Sequence, residues 1–168
     1  MLLFENAIGT CAVSWSDAGI TEVALPRRRG LSGPRPEAST GLPDGVRSAI
    51  DGMVRLLAGE PRDLRSVALD QRGLDDFRRR VYAAAREVEP GATTTYGEIA
   101  RAIGEPGASR AVGAALAHNP FPIIVPCHRV IAATGALHGF SAPGGIATKR
   151  RMLEIERAPG FTQEALFV

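Results

Sequence analysis

Cysteine, histidine and arginine stand in direct succession at Cys127, His128 and Arg129, inside the stretch PIIVPCHRVIAATG at residues 122–135. A thiol placed there has three possible fates: catalytic nucleophile, metal ligand, or small hydrophobe in a core. A structural zinc site wants four nitrogen or sulfur ligands at characteristic spacings. This chain holds two cysteines and His118, His128 and His138, with no C-x-x-C pair, so no metal site and no cofactor are expected. An inert buried thiol is the general alternative, because free cysteine is among the most buried residue types. Two features oppose it. Pro122 and Pro126 interrupt the apolar run, which excludes an ordinary central strand. His128 and Arg129 also place basic groups beside the sulfur, which favours thiolate. In an extended segment adjacent side chains point to opposite faces, so His128 would reach the thiol only through a water. A third group should then orient the imidazole, and both Glu154 and Glu156 are candidates.

The elements that must hold these groups can be read from pattern. IGTCAVSWSDAGITEVALP predicts a hairpin turning at Asp17, Ala18 and Gly19. RRRGLSGPRPEASTGLPDG lacks periodicity and predicts an exposed loop. From Asp44, the stripe Val46, Ile50, Met53, Val54 and Leu57 predicts a helix ending near Gly59 and Pro61, and LRSVALD is compatible with one more strand. A second helix should begin near Asp75 and Asp76, with Phe77, Val81, Ala84, Ala85 and Val88 on one face, and stop at Pro90 and Gly91. Thr95 and Glu98 have capping-box spacing, predicting a short helix from Tyr96 to Ile103 that ends at Gly104. ASRAVGAALAHNP predicts another helix, stopped at Asn119 by Pro120. Two short helices joined by a glycine-containing turn have the shape of a helix-turn-helix. The second carries Arg110 and the small residues Ala111, Gly113, Ala114 and Ala117. That face suits either close packing inside the protein or a backbone laid into a groove about 6 Å wide.

The 168 residues, 45% of them hydrophobic, suffice for a real core in one domain or two small ones. Two distant cysteines give no disulfide framework, and a reducing compartment, the cytoplasm, is expected. The start MLLFENAIG lacks the basic and apolar regions of a secretory signal, and no run is long enough for a membrane span. The net charge of +2 hides an asymmetry. Residues 77–151 carry 10 basic against 4 acidic groups, whereas 1–76 carry 9 against 11. Lys149 is the only lysine; every other basic side chain is an arginine, a bias that suits phosphate binding through the planar fork and that a GC-rich genome would equally give.

The segments NPFPIIVPCHRV, TTYGEIARAIG, ASRAVGAALAHNP, GALHGFS and KRRMLEIE together resemble the O6-alkylguanine-DNA alkyltransferases, over roughly residues 77–156. The resemblance implies that Cys127 accepts the alkyl group from O6-alkylguanine in double-stranded DNA, once per molecule. It implies that His128 takes the thiol proton through a water, that Glu156 fixes the tautomer of His128, and that Asn119 braces the turn before the cysteine. Tyr96 would donate to guanine N3 and help rotate the nucleotide, and Arg110 would fill the gap left by the flipped base. Ser141, Phe140 and the backbone near Cys127 and Val130 would line the guanine pocket. Ala111, Gly113, Ala114 and Arg129 would meet DNA, with the basic segment as a phosphate footprint.

The expected fold is a small α/β N-terminal unit, a sheet with a helix, over 1–74. A mainly α, winged-helix-like domain over 75–158 follows, carrying the helix-turn-helix and the cysteine, with a tail over 159–168. A monomer is expected, with no membrane partner; cooperative binding along DNA stays open. The pocket loop departs from the family, reading Phe140, Ser141, Ala142, Pro143, Gly144 and Gly145, which leaves the range of alkyl adducts open. Two other classes compete with alkyl transfer: a lesion-binding protein that does not react, against which the presence of Cys127 argues, and a DNA-binding regulator with the thiol as sensor. A cysteine hydrolase would need an oxyanion hole that the sequence does not reveal.

Overall fold

The computed structural model describes residues 1–137 and 144–162. Its first layer is an antiparallel sheet in the order β1 (Leu2–Asn6), β2 (Gly9–Ser16), β3 (Gly19–Ala24). The predicted hairpin is β2 and β3, paired through Val13 and Val23, and β1 was not expected from the sequence. α1 (Asp44–Leu57) packs on the sheet through Val46, Ala49, Ile50, Met53, Leu56 and Leu57, all buried. LRSVALD does not form a strand. It makes a single bridge to β3, with Ile20 N–H donating to the Ala68 carbonyl at 2.9 Å and Asp70 N–H to the Ile20 carbonyl at 2.8 Å. Gly19 permits that approach, since a Cβ there would lie 2.4 Å from the Ala68 oxygen.

The second layer begins at α2 (Asp76–Arg86), capped by the Asp75 carboxylate, which accepts from Arg78 N–H at 2.8 Å. Its Tyr82, 1% exposed, donates its hydroxyl to the Ala115 carbonyl at 2.7 Å and so ties α2 to α4 (Ser109–Ala117). α3 (Tyr96–Ala102) opens on the predicted capping box: Glu98 N–H donates to Thr95 Oγ1 at 3.1 Å, and Thr95 N–H donates to Glu98 Oε2 at 2.9 Å. α3 and α4 pack against each other as the helix-turn-helix pair. Two-residue strands β4 (Thr94–Thr95) and β5 (Val130–Ile131) pair in parallel, and α5 (Gly145–Ile155) closes the layer. Sheet, α1, α2, α3, α4 and the segment around Cys127 share one continuous core. No helix among the described residues is long and apolar enough to cross a membrane.

Candidate active site

The chain reaches Cys127 through successive tight turns, not an extended strand. Asn119 clamps both ends of it: its Nδ2 donates to the Val125 carbonyl at 3.0 Å, and its Oδ1 accepts from Phe121 N–H at 2.8 Å. Val125 N–H donates to the Phe121 carbonyl, which forces Ile123 to a φ of 75°. A β-branched residue in that region costs about 1–3 kcal/mol. Burial of Phe121, Ile123, Ile124 and Val125 in the shared core holds it there. Pro126, at φ −80° and ψ 65°, makes an inverse γ-turn in which Cys127 N–H donates to the Val125 carbonyl at 2.8 Å. Cys127–Arg129 then form one turn of 3₁₀ helix, so the expected alternation of faces does not apply.

Cys127 is 8% exposed, and this burial pushes its thiol above the usual range, against the Asn119 side chain, the charge of Lys149 and the backbone N–H groups of Cys127 and His128. The resting group is a thiol, contrary to the expectation of a thiolate, and it needs a base. His128 is fully buried, and its Nε2 donates to Glu156 Oε1 at 2.9 Å. Its Nδ1 is buried without a hydrogen-bond partner among the described residues. Burial holds the imidazole below its usual pKa, neutral, with the proton on Nε2 and a free lone pair on Nδ1. Burial also acts to raise the Glu156 carboxyl, but His128 and Arg129 outweigh it and hold the group down to about 2. Of the two candidates, Glu156 is the one in contact with His128. Glu154 lies 22% exposed beside Arg151.

Arg129, expected to meet DNA, is instead turned into the protein. It is 5% exposed, with Nε on Glu156 Oε2 at 2.9 Å, Nη2 on Glu156 Oε1 at 2.8 Å and Nη1 on the Val88 carbonyl at 2.6 Å. Burying a guanidinium requires this degree of pairing, and it commits three of the five N–H donors to groups inside the protein.

Tyr96 and Lys149 form the other wall. Lys149, 1% exposed, donates to the Val130 carbonyl at 2.6 Å and reaches the Tyr96 hydroxyl at 3.5 Å, with its ammonium 5.8 Å from the Tyr96 ring centre. The sequence assigned Lys149 no site role, although it is the lone lysine among arginines. Gly113 faces inward: a Cβ there would meet the Tyr96 ring at 3.8 Å. Arg110, Ala111 and Ala114 are exposed on the outer face of α4. Phe140 and Ser141 lie outside the described residues. Among those described, no group of three or more His, Cys, Asp and Glu side chains could hold a metal ion.

Comparison with known proteins accords with this constellation. Residues 76–158 match the family model for the DNA-binding domain of 6-O-methylguanine DNA methyltransferase. The methylated-DNA–protein-cysteine methyltransferase of Mycobacterium bovis is 47% identical over 74% of this chain and 73% of its own length. The chain belongs to the methylated-DNA–protein-cysteine methyltransferase family. The Mycolicibacterium paratuberculosis methyltransferase extends the match to 91% of this chain and 89% of its own, at 45% identity. Among solved structures, Mycobacterium tuberculosis OGT in complex with DNA is 37% identical, covering 95% of both chains with a TM-score of 0.75. The match of this methyltransferase to its relatives therefore runs through the N-terminal sheet as well as the helix-turn-helix.

Proposed function

We propose that this methyltransferase repairs O6-alkylguanine in duplex DNA by a single, stoichiometric transfer of the alkyl group to Cys127. The observation that carries the reading is the fully buried His128, locked by Glu156 through Nε2 with Nδ1 unpartnered among the described residues, next in the chain to a thiol that burial keeps protonated. The thiol proton passes to Nδ1 through a bridging water. The sulfur then attacks the alkyl carbon, an S–C bond forms as the C–O6 bond breaks, and the departing guanine accepts a proton at N3 from the Tyr96 hydroxyl. No step returns the thioether to a thiol, so each molecule acts once.

The lesion atom sits inside the base stack, so the nucleotide must leave the duplex, at a cost of a few kcal/mol that a damaged pair lowers. Arg110, exposed near the start of α4, fills the vacated space, and Ala111 and Ala114 let the helix lie close in the minor groove. Gly113 serves the same helix from behind, by seating Tyr96. β4, β5 and the helix-turn-helix pair read as a winged-helix-like unit over 75–158, with 1–74 as an N-terminal α/β domain that shares its core, acting as a monomer on DNA. With protein in excess over a duplex bearing one O6-methylguanine, the lesion should revert to guanine in one exponential. With duplex in excess, the yield should stop at one lesion per protein. Continued turnover would overturn the reading.

A further inference from the structure

Arg129 holds a place the transfer chemistry does not by itself explain. Its guanidinium takes both oxygens of Glu156 and the Val88 carbonyl, and Glu156 Oε1 is shared between Arg129 Nη2 and His128 Nε2. A lone buried carboxylate 2.9 Å from an imidazole draws a proton onto the ring, because the imidazolium is the better partner for its charge. An imidazolium has no lone pair at Nδ1 and accepts nothing from a thiol. Forked onto arginine, the same carboxylate is already compensated and still fixes the ring.

We propose that Arg129 is a positioning residue of the transfer step: its guanidinium, forked onto Glu156 and anchored to Val88, compensates the carboxylate so that His128 rests neutral with Nδ1 open to the thiol proton. This rests on the reading of His128 as the base.

Among the described residues, the ion pairs of Glu156 are those with His128 and Arg129. Among the described residues, the charged groups around the relay are Lys149 from α5, Glu60 and Arg157, which line a hollow of about 170 Å³ together with Glu156, and, across a cavity of about 230 Å³ that Arg129 lines between the 61–65 loop and the end of α2, Arg62, Asp63, Arg65, Arg86 and Glu89. Lys149 is held by the Val130 carbonyl, Arg65 by Asp63 and Glu87, and Arg86 by the carbonyls of Leu64, Arg65 and Val67. Arg129 itself lines that cavity, so a small cation entering from solvent can reach the space its side chain occupies.

The test is the pH profile of the single-turnover transfer rate on a duplex with one O6-methylguanine, for the wild type, Arg129→Ala, and the double variant Arg129→Met with Glu156→Gln. In the alanine variant the acid limb should move up by about one pH unit, so the deficit is about tenfold below the limb and shrinks at high pH. Added methylguanidinium should return the limb toward the wild-type position, and sodium at equal ionic strength should not. The double variant leaves no buried charge unpaired, and its limb should stand at or below that of the wild type. A merely structural arginine would lower the plateau and leave the limb in place. That result in Arg129→Ala, or a double variant whose limb moves up, overturns the proposal while leaving the base reading intact. A wild type whose acid limb survives His128→Gln overturns the base reading instead.

Discussion

The Val23 backbone N–H donates to the Pro120 carbonyl across 2.9 Å, joining β3 of the N-terminal sheet to the turn that carries Cys127. β3 is an edge strand, and this donor points off its open side, where an unpaired group would otherwise meet water. The sheet therefore braces the cysteine loop from outside the helix-turn-helix unit, a task that also requires Ile123 to stay at its positive φ.

Val23→Pro deletes that donor and spares the β2–β3 ladder, since an outward N–H on an edge strand is where proline is tolerated. The expected outcome is a loss of about 1–3 kcal/mol in urea unfolding, from the stranded Pro120 carbonyl, together with slower transfer by the folded protein. Val23→Ala keeps the N–H and serves as the comparison. Equal transfer rates for the two variants would show that the tie does not position the site.

Acid should destabilise the protein in two stages. His128 is held below its usual pKa in the fold, so its contribution is complete above about 6.5, the unfolded value, and is lost as pH falls toward the folded value. Glu156 is held down to about 2, so its contribution persists above about 4.5 and is lost between there and 2. Denaturant midpoints measured from pH 8 to pH 4 should fall below pH 6.5, and His128→Gln should remove the first stage. A flat profile across that range would contradict the buried neutral histidine.

Arg110→Ala should slow repair in duplex DNA far more than reaction with the free O6-alkylguanine base, because only the duplex reaction requires the gap to be filled. A loss of about tenfold or more in duplex with none on the free base is expected, comparable to about 1.4 kcal/mol at the transition state. Equal losses on both substrates would remove Arg110 from flipping.

A methyl on Cys127 should destabilise the fold. Cys127 is 8% exposed and follows a turn clamped by Asn119, so an added carbon overpacks the site, at about 1–3 kcal/mol. Thermal unfolding of the methylated protein should show a lower midpoint. No change would mean that the pocket has slack.

Local signals served the helices well. Thr95 and Glu98, and Asp75 ahead of α2, are caps whose partners lie three residues away, so they were legible. The cysteine segment was not, because its shape is imposed from a distance by Asn119, by the sheet at Val23 and by core burial of Ile123 and Ile124, against local backbone preference. Arg129 was misplaced for the same reason: its carboxylate lies 27 residues downstream, and a surface arginine and a buried one look alike in sequence. The resemblance supplied Glu156, and geometry then excluded Glu154. Lys149 did leave a trace, as the one lysine among arginines, readable only once its ammonium is seen between Val130 and Tyr96.

The most direct measurement is the intact mass of the protein after reaction with a duplex carrying one O6-methylguanine, beside a Cys127→Ala variant that should still bind the duplex. The account predicts that the wild type gains one methyl group, mapped by peptide analysis to Cys127, as the lesion reverts to guanine, and that the variant gains nothing. Unchanged wild-type mass with lesion binding intact, or a methyl group on any other residue, would contradict it.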